Sequence, residues 1–323
     1  MPRPSIRLIA IDLDGTLLSH EGRVGPRNLA ALHAATQAGI TIVIATGRRH
    51  TYALNVLHPL GLPTETPLVS SNGAIVRTFA SDLVERTLMQ TGTATWLCGA
   101  LGEFRNALVI TFDKTRPDGQ DQRGSLVVEE LADLHNSIGR WMETNAPFIE
   151  HVNPIEGALH GDPPIQMMLC GTVERMRRAE ALMLAYPEIA PVGDTRKTGQ
   201  ISLNRTEYPE RDLSIVDILP AGCSKGAAIL RLAAARNIDP SEIMAIGDNW
   251  NDMSMLEIAG LPVLMGNAPD DLKLIAAARN WHISADHTEE GVADAITRML
   301  NGGAAALTEV ADEASGELLG LTQ

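Results

Sequence analysis

Both ends of the chain alternate short apolar runs with segments of helical period, which is typical of parallel strands joined by helices. In the first block the predicted strands lie at 8–11, 40–45 and 68–71, and helices are predicted from Pro26 and over 51–60. In the second block strands at 243–247 and 261–265 alternate with helices at 224–237, 251–259, 269–278 and 291–300. Right-handed crossovers between such strands predict an α/β fold with a Rossmann-like, doubly wound parallel sheet.

The pattern is looser between the two blocks, where strand-like and helical runs are interrupted by segments rich in proline, glycine and charge. Two of these segments, 114–124 and 204–212, are predicted as long loops. The length of 323 residues fits two domains. The sequence therefore predicts an α/β core domain formed by 1–79 and 216–301, with an inserted α+β cap domain at 80–215.

The C-terminal segment 302–323 carries four acidic side chains, no basic ones and many small residues. This composition predicts a loose acidic tail. A weak docked helix around Leu318 and Leu319 is the alternative.

The composition excludes several classes of partner. A net charge of −14 and an aromatic content of 3% argue against nucleic-acid binding, which needs a basic surface and stacking rings. No apolar run is long enough to cross a bilayer, and the N-terminus does not resemble a signal peptide. Three cysteines without metal-ligand spacing fit a reducing compartment, so the cytoplasm is the expected location. A monomer and a homodimer both remain open.

The segment Asp12-Leu13-Asp14-Gly15-Thr16 directly follows the first apolar strand. Carboxylates at the end of a buried strand are costly without a charge partner, and a hard divalent cation such as Mg²⁺ is the usual one. A carboxylate beside such a cation can attack phosphorus while its neighbour transfers a proton. The segment therefore predicts a phosphoryl-transfer site.

A calcium-binding loop also opens with Asp-x-Asp, but it requires glycine at its sixth position and glutamate at its twelfth. Here Gly15 is at the fourth position and Arg23 at the twelfth, which excludes that loop. The plain alternative is a pair of turn-forming residues after a strand.

Three further loops are predicted at the same edge of the sheet, where strands end or helices begin. Their sequences are Thr46-Gly47, Ser224-Lys225-Gly226 and Gly247-Asp248-Asn249-Trp250-Asn251-Asp252. A hydroxyl and an exposed N–H at Thr46-Gly47 can bind phosphoryl oxygens. Lys225 begins a helix, where the macrodipole disfavours a cation, so its position suggests a functional partner.

Together these four loops resemble the four motifs of the haloacid dehalogenase superfamily, and the position of the cap resembles its Cof-type subfamily IIB. The resemblance implies that Asp12 is the nucleophile, forming an aspartyl-phosphate, and that Asp14 is the general acid and base. It implies Mg²⁺ binding by Asp12, Asp14 (through its backbone carbonyl), Asp248 and Asp252, the last directly or through water. The phosphate-binding residues that it implies are Leu13, Thr46, Gly47, Lys225 and Asn251.

The function implied by this resemblance is a magnesium-dependent phosphatase acting on small phosphorylated metabolites, with sugar phosphates as the leading class. A phosphomutase or phosphotransferase on sugar phosphates uses the same loops and is the enzymatic alternative. A non-catalytic binding protein on this scaffold is the third, although Asp12, Asp14, Lys225 and Asp248 are all retained.

Some residues have no single predicted role. Arg48 and Arg49 fit a phosphate site and a solvated helix start equally, and Asn72 fits substrate contact or a turn. The segments 266–269 and 290–293 resemble later family signatures and are predicted as structural turns and caps. Asp217 occupies a position where the family pattern predicts glutamate, which leaves the physiological substrate open.

Overall fold

The computed structural model describes residues 5–116, 119–130, 138–191 and 201–302. The strands are, in chain order, β1 (Leu8–Asp12), β2 (Thr41–Ala45), β3 (Pro67–Ser70), β4 (Ile75–Thr78), β5 (Leu83–Arg86), β6 (Leu108–Thr111), β7 (Leu126–Val128), β8 (Ile149–His151), β9 (Gln166–Gly171), β10 (Ile189–Pro191), β11 (Ile201–Tyr208), β12 (Leu213–Pro220), β13 (Ile243–Gly247), β14 (Leu261–Leu264) and β15 (His282–Ile283). The helices are α1 (Pro26–Gln37), α2 (His50–Leu57), α3 (Thr91–Ala100), α4 (Gly139–Asn145), α5 (Val173–Leu184), α6 (Lys225–Ala234), α7 (Met253–Ile258), α8 (Asp270–Ala278) and α9 (Gly291–Gly302).

The chain divides into two compact units, with cuts after Asp82 and after Ser224. Both cuts fall later than the boundaries at 79/80 and 215/216 that the sequence predicts. The second predicted boundary lies inside β12, a continuous strand of eight residues. A strand hydrogen-bonded along its length cannot be divided between two domains without breaking its ladder, so the unit ends beyond it.

The first unit is built on a sheet in which β15, β14, β13, β1, β2, β3 and β4 are neighbours in that order. All of these pairs are parallel except β3 with β4. Strand β1 is buried along its whole length, and its alternate residues contribute to two different apolar clusters. Ile9 and Ile11 pack in the cluster that includes Leu32 of α1, while Leu8 and Ala10 pack with Ile229 of α6. Helices thus cover both faces, which confirms the predicted doubly wound α/β fold.

The second unit is a seven-stranded sheet in the order β10, β11, β12, β9, β6, β7, β8. Its central pairs are antiparallel. Its largest apolar cluster packs α3 and α5 against the sheet, with Leu97, Met176 and Val216 among its members. The unit is therefore a mixed sheet with helices, as an α+β cap would be.

The prediction of a long loop at 204–212 is wrong. Strand β11 continues to Tyr208, and only a tight turn at 209–211 separates it from β12. The two charged residues inside β11, Arg205 and Glu207, both have partners on α5. Arg205 donates to Glu180 at 2.7 Å, and Glu207 accepts from Arg177 at 3.0 Å. Within the other predicted loop, Thr115 and Asp121 form an isolated bridge, while residues 117–118 lie outside the described ones.

Two further predictions fall wholly or partly outside the described residues. The helix predicted at 131–144 is described only from 138 onward, where α4 covers Gly139–Asn145. The tail at 302–323 is described only at Gly302, the last residue of α9. Over the four described ranges, no helix combines the length and apolar character that crossing a membrane requires.

Candidate phosphoryl-transfer site

Three acidic side chains converge at the carboxyl end of the core sheet. Asp12 is the last residue of β1, and Asp248 follows the neighbouring strand β13 directly. The short turn after Asp248 brings Asp252 back to the same edge. The carboxylates of Asp12, Asp248 and Asp252 each offer an oxygen within 4.8 Å of the others, and all three residues are buried. These three predicted metal ligands therefore lie close enough to share one cation.

Lys225 is the cation that the structure places among them. Its Nζ donates to Asp12 Oδ1 at 2.5 Å and to Asp252 Oδ1 at 2.7 Å, and its side chain is fully buried. Burial alone would lower the pKa of Lys225, but the two carboxylates outweigh burial and the pKa is raised. The lysine is therefore charged, which explains why a cation stands at the start of α6.

Close packing between α6 and α7 fixes the position of Lys225. The N–H of Gly226 donates to Ser254 Oγ at 3.1 Å, and a Cβ at position 226 would collide with the backbone of Ser254. Glycine at this position lets the first turn of α6 approach the loop that carries Asp252. The glycine in Ser224-Lys225-Gly226 thus has a packing role.

Asp252 organises the turn that follows β13. Its Oδ2 accepts from the backbone N–H groups of Asp248 and Asn249, at 3.0 and 3.1 Å, and its Oδ1 accepts from Lys225. These contacts orient Asp252 and hold the turn closed. Because Asp252 accepts three hydrogen bonds, fewer of its lone pairs are free to bind a metal than those of Asp12 or Asp248.

Asp248 is held by two neutral donors. Thr16 Oγ1 donates to its Oδ1 at 3.0 Å, and Asn267 Nδ2 donates to its Oδ2 at 3.3 Å. Gly15 lies beside the same carboxylate with a φ of +79°, and an added Cβ there would collide with it. The glycine of the first motif therefore permits both a left-handed backbone and the approach of Asp248.

The site places several negative charges in a buried environment. Burial is the main cause that raises the pKa of Asp12 to about 7, and the charge of Asp252 adds to it while Lys225 opposes it. Burial, followed by the charges of Asp12 and Asp252, also raises the pKa of Asp248 well above its ordinary value. One ammonium does not balance three buried carboxylates, so the donor set fits an additional hard cation such as Mg²⁺.

Asp14, the second aspartate of the first motif, forms a bidentate ion pair with Arg48. Arg48 donates from Nε to Asp14 Oδ2 at 2.7 Å and from Nη2 to Asp14 Oδ1 at 2.5 Å. The guanidinium also stacks over the ring of Tyr52, at 4.7 Å from its centroid. The Asp14 side chain remains 41% exposed, so solvent and a ligand can reach it. For Arg48, the structure therefore shows a defined partner instead of a solvated helix start.

The other predicted phosphate-binding residues lie at the same end of the sheet. Strand β2 pairs with β1 so that Ala45 lies opposite Asp12. Thr46 and Gly47 follow Ala45 and therefore lie at the same sheet edge as Asp12. Thr46 is buried, and its Oγ1 accepts from the N–H of Arg48 at 3.1 Å. Leu13 is buried directly after Asp12, and Asn251 is half-buried in the turn at 250–252.

Asn72 supports the loop of Thr46 from the short turn that follows β3. Its N–H donates to the carbonyl of Thr46 at 3.0 Å, its backbone is left-handed at a φ of +51°, and its side chain is fully buried. A Cβ added to Gly47 would lie 3.2 Å from the Asn72 amide nitrogen. The structure thus places Asn72 in a supporting turn next to Gly47.

Sequence reasoning missed two residues that contact the site. Thr16 stands inside the first motif, which predicts no separate role for it, and the sequence predicts Asn267 as part of a structural turn. Asn267 is located three residues after β14, the strand next to β13. The sequence signal that could have identified Asn267 is its position as a polar residue just beyond the carboxyl end of a strand next to β13.

The raised pKa of Asp12 predicts how the stability of the metal-free protein depends on pH. The folded form binds this proton more tightly than the unfolded form, whose pKa is near 3.8. The free energy of unfolding should therefore fall as pH rises from about 4 through about 7. Melting curves in a chelator should show a lower Tm at about pH 8 than at about pH 6.

Adding Mg²⁺ should raise the Tm more at the higher pH, because a cation favours ionised carboxylates. A Mg²⁺ effect on Tm that is equal at both pH values would contradict this assignment of charge. Asp12→Asn supplies the control, because it removes one of the titrating groups.

Comparisons with known proteins show the family of this chain. A family model described as haloacid dehalogenase-like hydrolase matches residues 9–296. The 5-amino-6-(5-phospho-D-ribitylamino)uracil phosphatase YwtE of Bacillus subtilis (strain 168) is 28% identical over 314 residues, covering 92% of this chain and 99% of the relative. The pyridoxal phosphate phosphatase YbhA of Escherichia coli (strain K12) is 28% identical over 296 residues, covering 90% and 97%.

The fold also matches solved structures. The structure of the HAD subclass IIB sugar phosphatase BT4131 aligns with a TM-score of 0.67 at 22% identity, over 92% of this chain and 99% of that one. The fold predicted from the sequence motifs is thus confirmed. Since the family model spans most of the sequence, the chain belongs to the haloacid dehalogenase-like hydrolase family.

Proposed function

We propose that the protein is a magnesium-dependent phosphatase that hydrolyses small phosphorylated metabolites through an aspartyl-phosphate on Asp12. The observation that carries the proposal is the convergence of Asp12, Asp248 and Asp252 in a buried site, where Lys225 donates to Asp12 and Asp252. Phosphatase is also the activity named for both curated relatives. Asp12, Asp248 and the backbone carbonyl of Asp14 would hold the cation, with Asp252 directly or through water. Bound Mg²⁺ would balance charge on the phosphoryl oxygens.

Asp12 is suited to act as the nucleophile. Lys225 binds one of its oxygens and thereby orients the other. Attack of this oxygen on phosphorus forms the Asp12 O–P bond and breaks the bond to the leaving alcohol. Water then attacks the same phosphorus, releases inorganic phosphate and restores the Asp12 carboxylate.

Asp14 would carry both proton transfers. It would protonate the leaving oxygen in the first step and accept a proton from the attacking water in the second. Its carboxylate lies in the ion pair with Arg48, which uses one lone pair of each oxygen and leaves the other available for a proton. The Asp14 side chain is partly exposed, so a leaving group and water can approach it.

The remaining predicted residues would bind the phosphoryl group. Thr46, Gly47, Leu13 and Asn251 offer hydroxyl, amide and backbone donors at the same edge of the sheet as Lys225. Local donors of this kind suit an acidic protein, because its surface charge does not attract anions.

Sugar phosphates are the leading substrate class of this proposal. One relative is named for a substrate with a phosphorylated ribityl chain, and another for pyridoxal phosphate. Both names describe small phosphomonoesters. A phosphomutase or phosphotransferase would use the same residues but return the phosphoryl group to a sugar hydroxyl.

Turnover of a phosphometabolite panel tests this function. Purified protein should release inorganic phosphate from a generic phosphomonoester and from several sugar phosphates, and a chelator should reduce the rate at least about a hundredfold. Product analysis separates hydrolysis from transfer, because a mutase yields an isomeric sugar phosphate. Release of phosphate that is insensitive to chelator would argue against the proposal.

A further inference from the structure

Asn267 contacts three separate segments around the site. Its Nδ2 donates to the carbonyl of Gly15 at 2.8 Å and to Asp248 Oδ2 at 3.3 Å, and its Oδ1 accepts from the N–H of His287 at 3.1 Å. This side chain therefore connects the loop after β1, the loop after β13 and the turn that precedes α9.

The contact with His287 decides which way the Asn267 amide faces. A backbone N–H can only donate, so the atom that faces His287 must be the oxygen. The amide nitrogen then faces Gly15 and Asp248, and both of its hydrogens have an acceptor. Asn267 is thus a donor to the Asp248 carboxylate, and its orientation follows from the hydrogen-bond pattern.

The backbone around Asn267 is fixed independently of this side chain. The N–H of Met265 donates to the carbonyl of Gly247 at 3.0 Å, and the N–H of Gly266 donates to the carbonyl of Ala285 at 3.2 Å. A Cβ at position 266 would press against the carbonyl oxygen of Ser284. The loop is held against the end of β13, which delivers the amide to Asp248.

We propose that Asn267 is a positioning residue that sets the orientation of the Asp248 carboxylate for a divalent cation. The inference rests on the proposed function. Thr16 holds Oδ1 and Asn267 holds Oδ2, so rotation of the carboxylate is restricted from both sides. Both donors are neutral, which orients the carboxylate without placing a second positive charge in competition with the metal.

Binding of Mn²⁺ to the whole 323-residue chain, monitored by electron paramagnetic resonance, tests this role. Mn²⁺ is the probe because it accepts the same oxygen ligands as Mg²⁺. Asn267→Ala should raise the Kd for Mn²⁺ about 10- to 100-fold, the usual effect of losing a group that orients a metal ligand. The Mg²⁺ concentration for half-maximal turnover should rise in parallel, while kcat at saturating Mg²⁺ should recover to within about tenfold of the original.

Ser284→Ala is the matched control. Ser284 Oγ donates to the carbonyl of Gly291 at 2.7 Å, so this variant also removes a buried hydrogen bond from the segment that faces Asn267. It should lower Tm and leave the Kd for Mn²⁺ within about threefold. Asn267→Ser, which is too short to reach Asp248, provides a second variant if Asn267→Ala does not fold.

The outcomes separate the inference from the proposed function. If the unaltered protein binds Mn²⁺ and both folded Asn267 variants bind it equally well, the positioning role is wrong and the proposed function stands. If the unaltered protein neither binds Mn²⁺ nor shows Mg²⁺-dependent turnover, both are wrong. Weaker Mn²⁺ binding in the Asn267 variants, but not in Ser284→Ala, supports the role.

Discussion

Asp12→Asn should lower kcat for phosphomonoesters by about ten-thousandfold or more, because it removes the atom that attacks phosphorus. An asparagine amide keeps the size of the side chain but has no anionic oxygen to form the intermediate. The measurement is steady-state turnover at saturating substrate and Mg²⁺, with phosphate release as the signal. The proposed mechanism predicts that raising the substrate concentration does not restore the rate of Asp12→Asn.

The variant should remain folded, which makes its loss of activity interpretable. Lys225 keeps its ion pair with Asp252. A neutral side chain at position 12 also removes the energetic cost of burying one charged carboxylate. Circular dichroism and a melting curve check this point. A folded Asp12→Asn protein that retains more than about a tenth of the original kcat would rule out Asp12 as the nucleophile.

Lys225→Met should have the largest effect on stability. It leaves the buried carboxylates of Asp12 and Asp252 without their shared cation, and breaking a buried ion pair in this way costs about 3–5 kcal/mol. The same change should lower kcat by about 10²- to 10³-fold, because a charge that stabilises the transferring phosphoryl group is lost. Denaturant unfolding and steady-state kinetics measure the two effects.

The loss of stability in Lys225→Met should be greater at about pH 8 than at about pH 6, because protonation of Asp12 relieves the uncompensated charge. Lys273→Met is the matched control. Lys273 is partly exposed and faces Asp270, whose side chain is 98% exposed, at 3.5 Å. Exposed pairs of this kind contribute about 0–1 kcal/mol, so the free energy of unfolding of the control should be close to that of the unaltered protein. Equal losses in both variants would contradict the structural role of Lys225.

The core of this fold could be predicted from sequence because its signals are local. An apolar run followed by Asp12-Leu13-Asp14-Gly15-Thr16 indicates a buried strand that ends in carboxylates. Since parallel strands end at one edge of a sheet, Asp12 and Asp248 were expected to meet there, and the structure places them within reach of one cation. The start of α1 at Pro26 and the left-handed Gly39 after it also follow from local chemistry.

The second unit was harder to predict because its strands carry charged residues. Arg205 and Glu207 resemble loop residues until their partners on α5 are known, and those partners lie about 25–30 positions away in sequence. Helix α3 begins with Thr91 and Gly92, which have low helix propensity, and packing of Leu97 and Cys98 in the apolar cluster supports it instead.

The supporting residues of the site were also beyond the reach of local patterns. Asn267 resembles any polar residue in a turn, and its contacts with Gly15 and Asp248 join segments that are distant in sequence. Arg48 follows a strand as a solvated arginine would, and only the folded chain shows that its guanidinium holds Asp14. Such roles depend on contacts between segments that are distant in sequence, and no short stretch of the sequence shows these contacts.

Chemical trapping of the phosphorylated enzyme tests the central claim most directly. Protein mixed with a phosphomonoester and Mg²⁺ is quenched with borohydride, which reduces an acyl phosphate to an alcohol, and the peptides are identified by mass spectrometry. We expect reduction at Asp12 alone, dependent on both substrate and Mg²⁺. Rapid turnover without any trapped acyl phosphate, or trapping at a different carboxylate, would contradict the assignment of Asp12 as the nucleophile.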